Sequence, residues 1–209
     1  MTVFYNQIAG QNLHRLAALC DGVFAIAMTL LVLNLAVPAR EAVHSEMELW
    51  IALTALGPHL LTYLMSFLTL GIFWVGQQTA YELNAKSDRA YSWINLTFFL
   101  MVTLVPFSTA LLAAFIRYRL ALIVYWLNIL IIGLLLLHAW HHARKFNLRK
   151  ADVPEHMHRA LWRRIVVGQS LYALGAALCV FSTWWSIGFI MAVQIQYAIA
   201  PRFRPFTWL

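Results

Sequence analysis

The sequence has little charge of either sign. Asp, Glu, Lys and Arg together make up 11% of its 209 residues, whereas soluble domains carry about 25%. Hydrophobic residues make up 62%, so the composition excludes an ordinary soluble protein and favours a chain with the lipid bilayer as its solvent. A helix needs about 20 apolar residues to cross a hydrocarbon core of roughly 30 Å, so the length allows about six crossings and no sizeable soluble domain.

Cysteine and catalytic motifs are scarce as well. Cys20 and Cys179 each lie within an apolar segment, which excludes a disulfide framework or a paired-cysteine metal site and leaves the redox compartment open. The sequence has no Gly-rich phosphate loop, no nucleophile elbow and no paired catalytic carboxylates. Because these are the usual signs of enzymatic chemistry, we expect neither an enzyme nor a cofactor.

The pattern of apolar runs predicts an all-α, polytopic membrane protein with one domain over residues 1–209. Six transmembrane helices are expected, at approximately 14–37, 48–80, 91–114, 119–143, 162–182 and 184–200. The first is a retained helix and not a signal peptide, because Asp21 interrupts it and five further segments follow. The second is long and contains Pro58, so we expect a tilt, a kink or an extension into water, and splitting it there would give seven helices.

The basic residues indicate the orientation of these helices. With six helices both termini share one side, and twelve of the Lys and Arg residues fall on it: Arg15, Lys86, Arg89, Arg144, Lys145, Arg149, Lys150, Arg159, Arg163, Arg164, Arg202 and Arg204. Only Arg40, Arg117 and Arg119 fall on the other. Cationic loops stay on the cytoplasmic side, so both termini are expected in the cytoplasm and the protein in the cell membrane. This placement at helix ends also explains the net charge of +7 without a nucleic-acid partner.

The first helix carries a narrow aliphatic stripe. At 100° per residue, its members fall within about 40° of one line: Arg15, Leu19, Gly22, Ile26, Leu30, Leu33 and Val37, with Thr29 beside them. Periodicity alone explains this stripe as a surface for helix packing or for lipid contact.

Asp21 lies at least about 120° from that stripe, so it should face neighbouring helices. A carboxylate inside a membrane segment costs several kcal/mol unless it is paired or hydrated. Asp21 therefore needs a partner such as Arg15, or a tryptophan or amide donor from another helix, and should be buried. Either it clamps the helix packing, or it takes part in ion or proton transfer.

Histidines cluster at the end of the fourth predicted helix. His138, His141 and His142 have the i, i+3, i+4 spacing of a one-face metal site, and His156 and His158 follow. No carboxylate or cysteine stands at ligand spacing beside them, so we interpret them as solvated interfacial histidines and expect no metal.

The run from Arg15 to Leu33 resembles the first-helix signature of the transmembrane protein 175 family of potassium channels. The family pattern reads Arg-x-x-x-Phe-Ser-Asp, and here Arg15 and Asp21 keep their spacing while Leu19 and Cys20 replace the Phe and Ser. Later stretches are similar too: Ser66-Phe67 with Phe73-Trp74-Val-Gly-Gln-Gln78, and Asn95-Leu96 with Pro106-Phe-Ser-Thr109. Family members commonly have histidines where this chain has Gln77 and Gln78; glutamine can hydrogen-bond but cannot titrate.

The resemblance implies a homotetramer in which the first helices surround a central pore. Ile26, Leu30 and Leu33 would then form stacked apolar rings, the pore constriction, with Thr29 supplying a hydroxyl layer. Arg15, Asp21 and Trp74 match the family's polar contacts, which implies a structural polar network that orients the pore helix.

The implied function is a potassium-permeable cation channel with weak to moderate K⁺ selectivity, in which the first helix forms a hydrophobic constriction. We expect no carbonyl selectivity filter, because the sequence has no Thr-Val-Gly-Tyr-Gly loop. Other monovalent cations or protons are further candidate permeant ions. The alternatives are a proton-permeable pathway or ion-coupled carrier in which Asp21 titrates, and a non-conducting membrane scaffold.

Overall fold

A computed structural model of the chain describes residues 12–199, and these residues are helical apart from their connections. They form eight α-helices: α1 (Leu13–Leu31), α2 (Glu46–Ala55), α3 (Gly57–Glu82), α4 (Arg89–Thr103), α5 (Val105–Ala114), α6 (Arg119–Lys145), α7 (Glu155–Ala177) and α8 (Thr183–Ile199). Short 3₁₀ turns follow α1 at Val32–Asn34, precede α2 at Arg40–Ala42 and follow α7 at Leu178–Val180.

Local sequence signals explain where several helices begin. The side chain of Asn12 accepts a hydrogen bond from the Arg15 backbone N–H, and Ser45 and Asp88 cap α2 and α4 in the same way. These caps satisfy backbone donors that the first turn of a helix leaves free.

Two segments expected as single helices are each divided in the structure. The segment expected over 48–80 breaks at Leu56, and the one over 91–114 breaks at Leu104. In both cases a proline, Pro58 or Pro106, stands in the first turn of the second piece. Proline has no backbone N–H and its ring crowds the carbonyl four residues earlier, so the helical hydrogen-bond ladder is interrupted there.

Two other boundaries differ from the expectation. The first α-helix ends at Leu31 and not near residue 37, and α7 begins at Glu155 and not near residue 162. The remaining two lie close to the predicted 119–143 and 184–200. Because Leu33 falls in the 3₁₀ turn after α1, its direction no longer follows the 100° step used for the stripe.

The helices pack so that α1 lies against only part of the bundle. It contacts α3, α4 and α5, whereas α6 packs on α4, α5 and α7, and α8 packs on α3 and α7. The largest fully buried side chains are mostly aromatic and aliphatic: Tyr91, Tyr125, Phe24, Phe98, Leu31, Met65, Leu70, Leu112, Leu122, Ile129, Ile132 and Ile187. One face of α1 is therefore built into this core and the rest of the helix is left outside it.

Four helical segments within residues 12–199 are long and apolar enough to span a membrane: Leu13–Asn34, Gly57–Glu82, Arg89–Ala114 and Arg119–Lys145. The chain thus has several apolar helices suited to a bilayer. Neither α7 nor α8 is among these four, so six crossings remain a prediction.

The connections between helices show which ends of the bundle meet. The Ala85 N–H donates to the Leu148 carbonyl at 2.9 Å, and the Lys150 N–H donates to the Leu83 carbonyl at 3.0 Å. The loop after α3 and the loop after α6 therefore lie at one end of the bundle. At the start of α6, Arg119 donates to the carbonyl of Val180 at 2.9 Å, so the beginning of α6 lies beside the end of α7. The cytoplasmic side of the termini remains a prediction, and Arg202 and Arg204 lie outside the described residues.

Candidate pore helix and its polar contacts

The two sides of α1 have different surroundings. One face is buried in the bundle and consists of Leu16, Cys20, Phe24, Ala27 and Leu31. The aliphatic stripe is exposed in the single chain: the exposed fraction is 60% for Ile26, 43% for Leu30 and 73% for Leu33. The stripe is thus a free apolar surface on a helix whose other face is held in place.

Thr29 lies beside this stripe and is also exposed. Its hydroxyl donates to the backbone carbonyl of Ile26 at 2.9 Å. The hydroxyl proton is therefore used within the helix, while the oxygen keeps a lone pair that can accept from water or coordinate a cation.

Asp21 is held by two donors from α3. Trp74 Nε1 donates to Asp21 Oδ1 at 2.8 Å, and Gln78 Nε2 donates to the same oxygen. Trp74 and Gln78 are four residues apart and so project from the same face of α3. Asp21 thus joins the pore-candidate helix to its neighbour through a tryptophan and an amide, two of the partner types considered from the sequence.

The expectation that Asp21 is buried is wrong for the single chain, where the residue is exposed. Its carboxylate is bonded on one side to α3 and open on the other. The single chain therefore does not supply all the surroundings that offset the free-energy cost of this carboxylate in a membrane segment.

Arg15 is not brought to Asp21. Its side chain is exposed, and among residues 12–199 its guanidinium forms no hydrogen bond or ion pair; the backbone N–H alone bonds, to Asn12. The two residues are six positions apart on one helix, which is roughly 9 Å along the axis and on different faces. Its part in the polar network stays a prediction.

A buried cluster of hydrogen-bonded polar residues lies next to this site, and no role was predicted for it from the sequence. Asn95 accepts hydrogen bonds from Gln77 and from the Tyr81 hydroxyl, the latter at 2.9 Å, and donates to the Tyr91 carbonyl. Gln77 is 1% exposed, whereas Gln78 is partly exposed. The two adjacent glutamines therefore donate hydrogen bonds to different helices: Gln77 donates to α4 and Gln78 donates to α1.

A second buried polar group joins the helices farther from α1. Thr109 of α5 donates to Ser66 of α3 at 2.7 Å, Ser66 donates to the Tyr125 hydroxyl of α6, and Gln194 of α8 donates to Thr69 of α3 at 2.7 Å. Ser66, Asn95 and Thr109 all lie in the later stretches that resemble the channel family. That resemblance is the sequence feature that could have indicated their importance.

The histidines divide into two groups. His138, His141 and His156 are exposed, as expected, but His158 is buried and His142 is largely so. His142 Nε2 lies 2.9 Å from an oxygen of Asp88, a carboxylate distant in sequence. Among the described residues no group of three or more His, Cys, Asp or Glu side chains is arranged to hold a metal.

Fold and site together define an all-helical membrane protein with one polar-anchored helix that presents an apolar stripe outside its own bundle. Residues 15–106 match the sequence profile of the family described as endosomal/lysosomal potassium channel TMEM175.

Known relatives extend this match along the chain. A potassium channel of Chamaesiphon minutus is 35% identical over 88% of this chain and 93% of that protein. A potassium channel of Streptomyces collinus is 35% identical over 80% of this chain and 82% of that protein. The human endosomal/lysosomal proton channel TMEM175 is 27% identical, over 65% of this chain and 27% of its own length.

The fold agrees with a solved structure of the same group. The crystal structure of a lysosomal potassium-selective channel TMEM175 homolog from Chamaesiphon minutus has a TM-score of 0.79 and 34% identity, covering 90% of this chain and 97% of that chain. The chain belongs to the TMEM175 family. It is therefore a membrane protein of an ion-channel family, which is not a class of enzymes.

Proposed function

We propose that the chain forms a potassium-permeable cation channel with weak to moderate selectivity for K⁺ over Na⁺. Four copies would surround a pore lined by α1, as one six-helix domain per chain in the cell membrane with both termini cytoplasmic. The names of the two bacterial relatives, both potassium channels, support the choice of ion.

One observation carries the proposed position of the pore: Asp21 is exposed in the single chain on the same helix as the exposed stripe. A carboxylate facing hydrocarbon costs several kcal/mol. The open side of α1 near Asp21 is therefore better matched to another copy of the chain or to water than to lipid. An assembly that turns α1 inward supplies both surroundings.

In such an assembly Ile26, Leu30 and Leu33 form successive apolar rings. A narrow apolar ring gates by excluding water and admits an ion only when part of its hydration shell is removed. Removing that water costs less for K⁺ than for the smaller, more strongly hydrated Na⁺. Thr29, beside the rings, offers hydroxyl oxygens to a partly dehydrated cation.

Flux in liposomes tests this proposal. Wild-type protein should pass K⁺ faster than Na⁺, and Ile26→Ala should raise both fluxes and reduce their ratio because the ring is wider. Ile131→Ala is the matched control, since Ile131 is an aliphatic residue of α6 that is 41% exposed and should leave the ratio unchanged. Unchanged flux and selectivity in Ile26→Ala would show that Ile26 is not the constriction.

Proton permeation is the second candidate function. The human relative is named a proton channel, and Asp21 is an exposed titratable group on the proposed pore helix. If protons pass by way of Asp21, Asp21→Asn should abolish acid flux into liposomes while K⁺ flux persists. Loss of both fluxes together would instead indicate that Asp21 supports the shape of the pore.

A further inference from the structure

A cavity lies between α3, α6, α7 and α8, away from α1. The cavity is narrow and partly open to the surface of the bundle, with a volume of about 50 Å³, so an elongated ligand would extend out of its mouth. Its wall is largely apolar and includes Ile72, Phe73, Leu136, Leu161 and Ile165. Gly76 and Gly168 also line it, and a Cβ added to Gly76 would meet only Leu136, at 3.9 Å.

One positively charged side chain lines this otherwise apolar cavity. Arg164 lines it, and its guanidinium lies over the Tyr197 ring, 5.2 Å from the ring centroid. Within residues 12–199 no carboxylate lies at ion-pair distance from Arg164. The cavity therefore combines an apolar interior with a positive charge that has an aromatic face for a neighbour but no anion.

One residue of the same wall also carries an unpaired hydrogen-bond acceptor. Gln169 lines the cavity, and its Oε1 atom is buried without a hydrogen-bond partner among the described residues. The side chain is fixed by its position over Gly133, where an added Cβ would fall 1.9 Å from Gln169 Nε2. A buried acceptor without a donor is costly, so a donor that reached this atom would stabilise the fold around the cavity.

We propose that this cavity binds one acyl chain of an anionic phospholipid, with the head group at Arg164. Basic pockets between membrane helices bind anionic head groups in this way. The apolar wall suits the acyl chain, and the guanidinium of Arg164 suits the phosphate. The site is distinct from the stripe on α1 and does not depend on what the channel conducts.

Native mass spectrometry of delipidated protein in uncharged detergent tests the head group. Phosphatidylglycerol should bind in preference to phosphatidylcholine of the same acyl composition, and Arg164→Gln should weaken phosphatidylglycerol binding about fivefold. Arg159→Gln removes a charge from the same helix outside the cavity and should leave binding unchanged. Equal binding of the two lipids, or equal losses in the two variants, would overturn the proposal.

A second pair of variants tests the chain-binding space. Gly76→Leu should fill the cavity and abolish the preferential binding, whereas Gly71→Leu, on the same helix with nothing within 4 Å of its added Cβ and outside the cavity lining, should retain it. Both variants should elute from gel filtration as the wild type does. Phosphatidylglycerol binding that is retained in Gly76→Leu would exclude this cavity as a phospholipid site. The same conclusion would follow if the wild-type protein bound free oleate but did not bind phosphatidylglycerol.

Discussion

The bond between Trp74 and Asp21 gives a quantitative prediction for Trp74→Phe. The substitution keeps an aromatic ring on α3 and removes the N–H that donates to Asp21 at 2.8 Å. A hydrogen bond to a charged group contributes about 1.5–3 kcal/mol, and the lower figure applies because Asp21 is exposed. For a chain of this size, a loss of about 1.5 kcal/mol lowers Tm by about 3–6 °C.

The assay is thermal unfolding in detergent, with Trp93→Phe as the control for loss of ring size. Trp93 is 61% exposed, and its indole donates no hydrogen bond within the described residues. A double-mutant cycle isolates the bond: in an Asp21→Ala background, Trp74→Phe should cost little more than Trp93→Phe does. An equal loss of Tm with and without Asp21 would refute the assignment of the effect to this bond.

Three further predictions concern the polar contacts. Asp21→Asn should lower channel activity because a neutral amide binds Trp74 and Gln78 more weakly; normal assembly and flux would contradict its role in orienting α1. Asp88→Ala should lower Tm by at least about 2–4 °C, because it removes the α4 cap, a loss of about 1 kcal/mol, together with the contact between Asp88 and His142. An unchanged Tm would show that neither interaction contributes. Burial, and secondarily Arg149, lowers the pKa of His158 below its ordinary value, so the unfolded chain binds the proton more readily. Stability should fall as pH drops through about 6.5 and below, and His158→Gln should flatten this dependence in pH-dependent melting curves.

The sequence predicts α1 well because a helix has a fixed period. The step of 100° separates Asp21 from Ile26 and Leu30 before any contact is known, and the structure has the stripe exposed and Asp21 directed at α3. Leu33 lies in the 3₁₀ turn that begins at Val32, so the 100° step does not fix its direction, although its side chain is exposed like those of Ile26 and Leu30.

Contacts between distant residues could not be predicted in this way. His142 and Asp88 are joined only because α6 ends beside the start of α4, and no local spacing encodes that arrangement. The buried pair Ser66 and Thr109 is similar: both hydroxyls stand in apolar runs, and only the packing of α3 on α5 shows that they bond. The breaks at Leu56 and Leu104 had a local signal in Pro58 and Pro106, but a proline alone does not distinguish a kink from an end.

Silver-ion block of a single introduced thiol tests most directly whether the stripe on α1 lines the ion pathway. Cys20 and Cys179 are first replaced by Ala, and Ile26→Cys is compared with Ile131→Cys in K⁺-loaded liposomes. Ag⁺ is a small monovalent cation that binds thiols, so it should block K⁺ flux through Ile26→Cys and leave Ile131→Cys conducting. Block at Ile131→Cys without block at Ile26→Cys would place the pathway elsewhere and contradict the account.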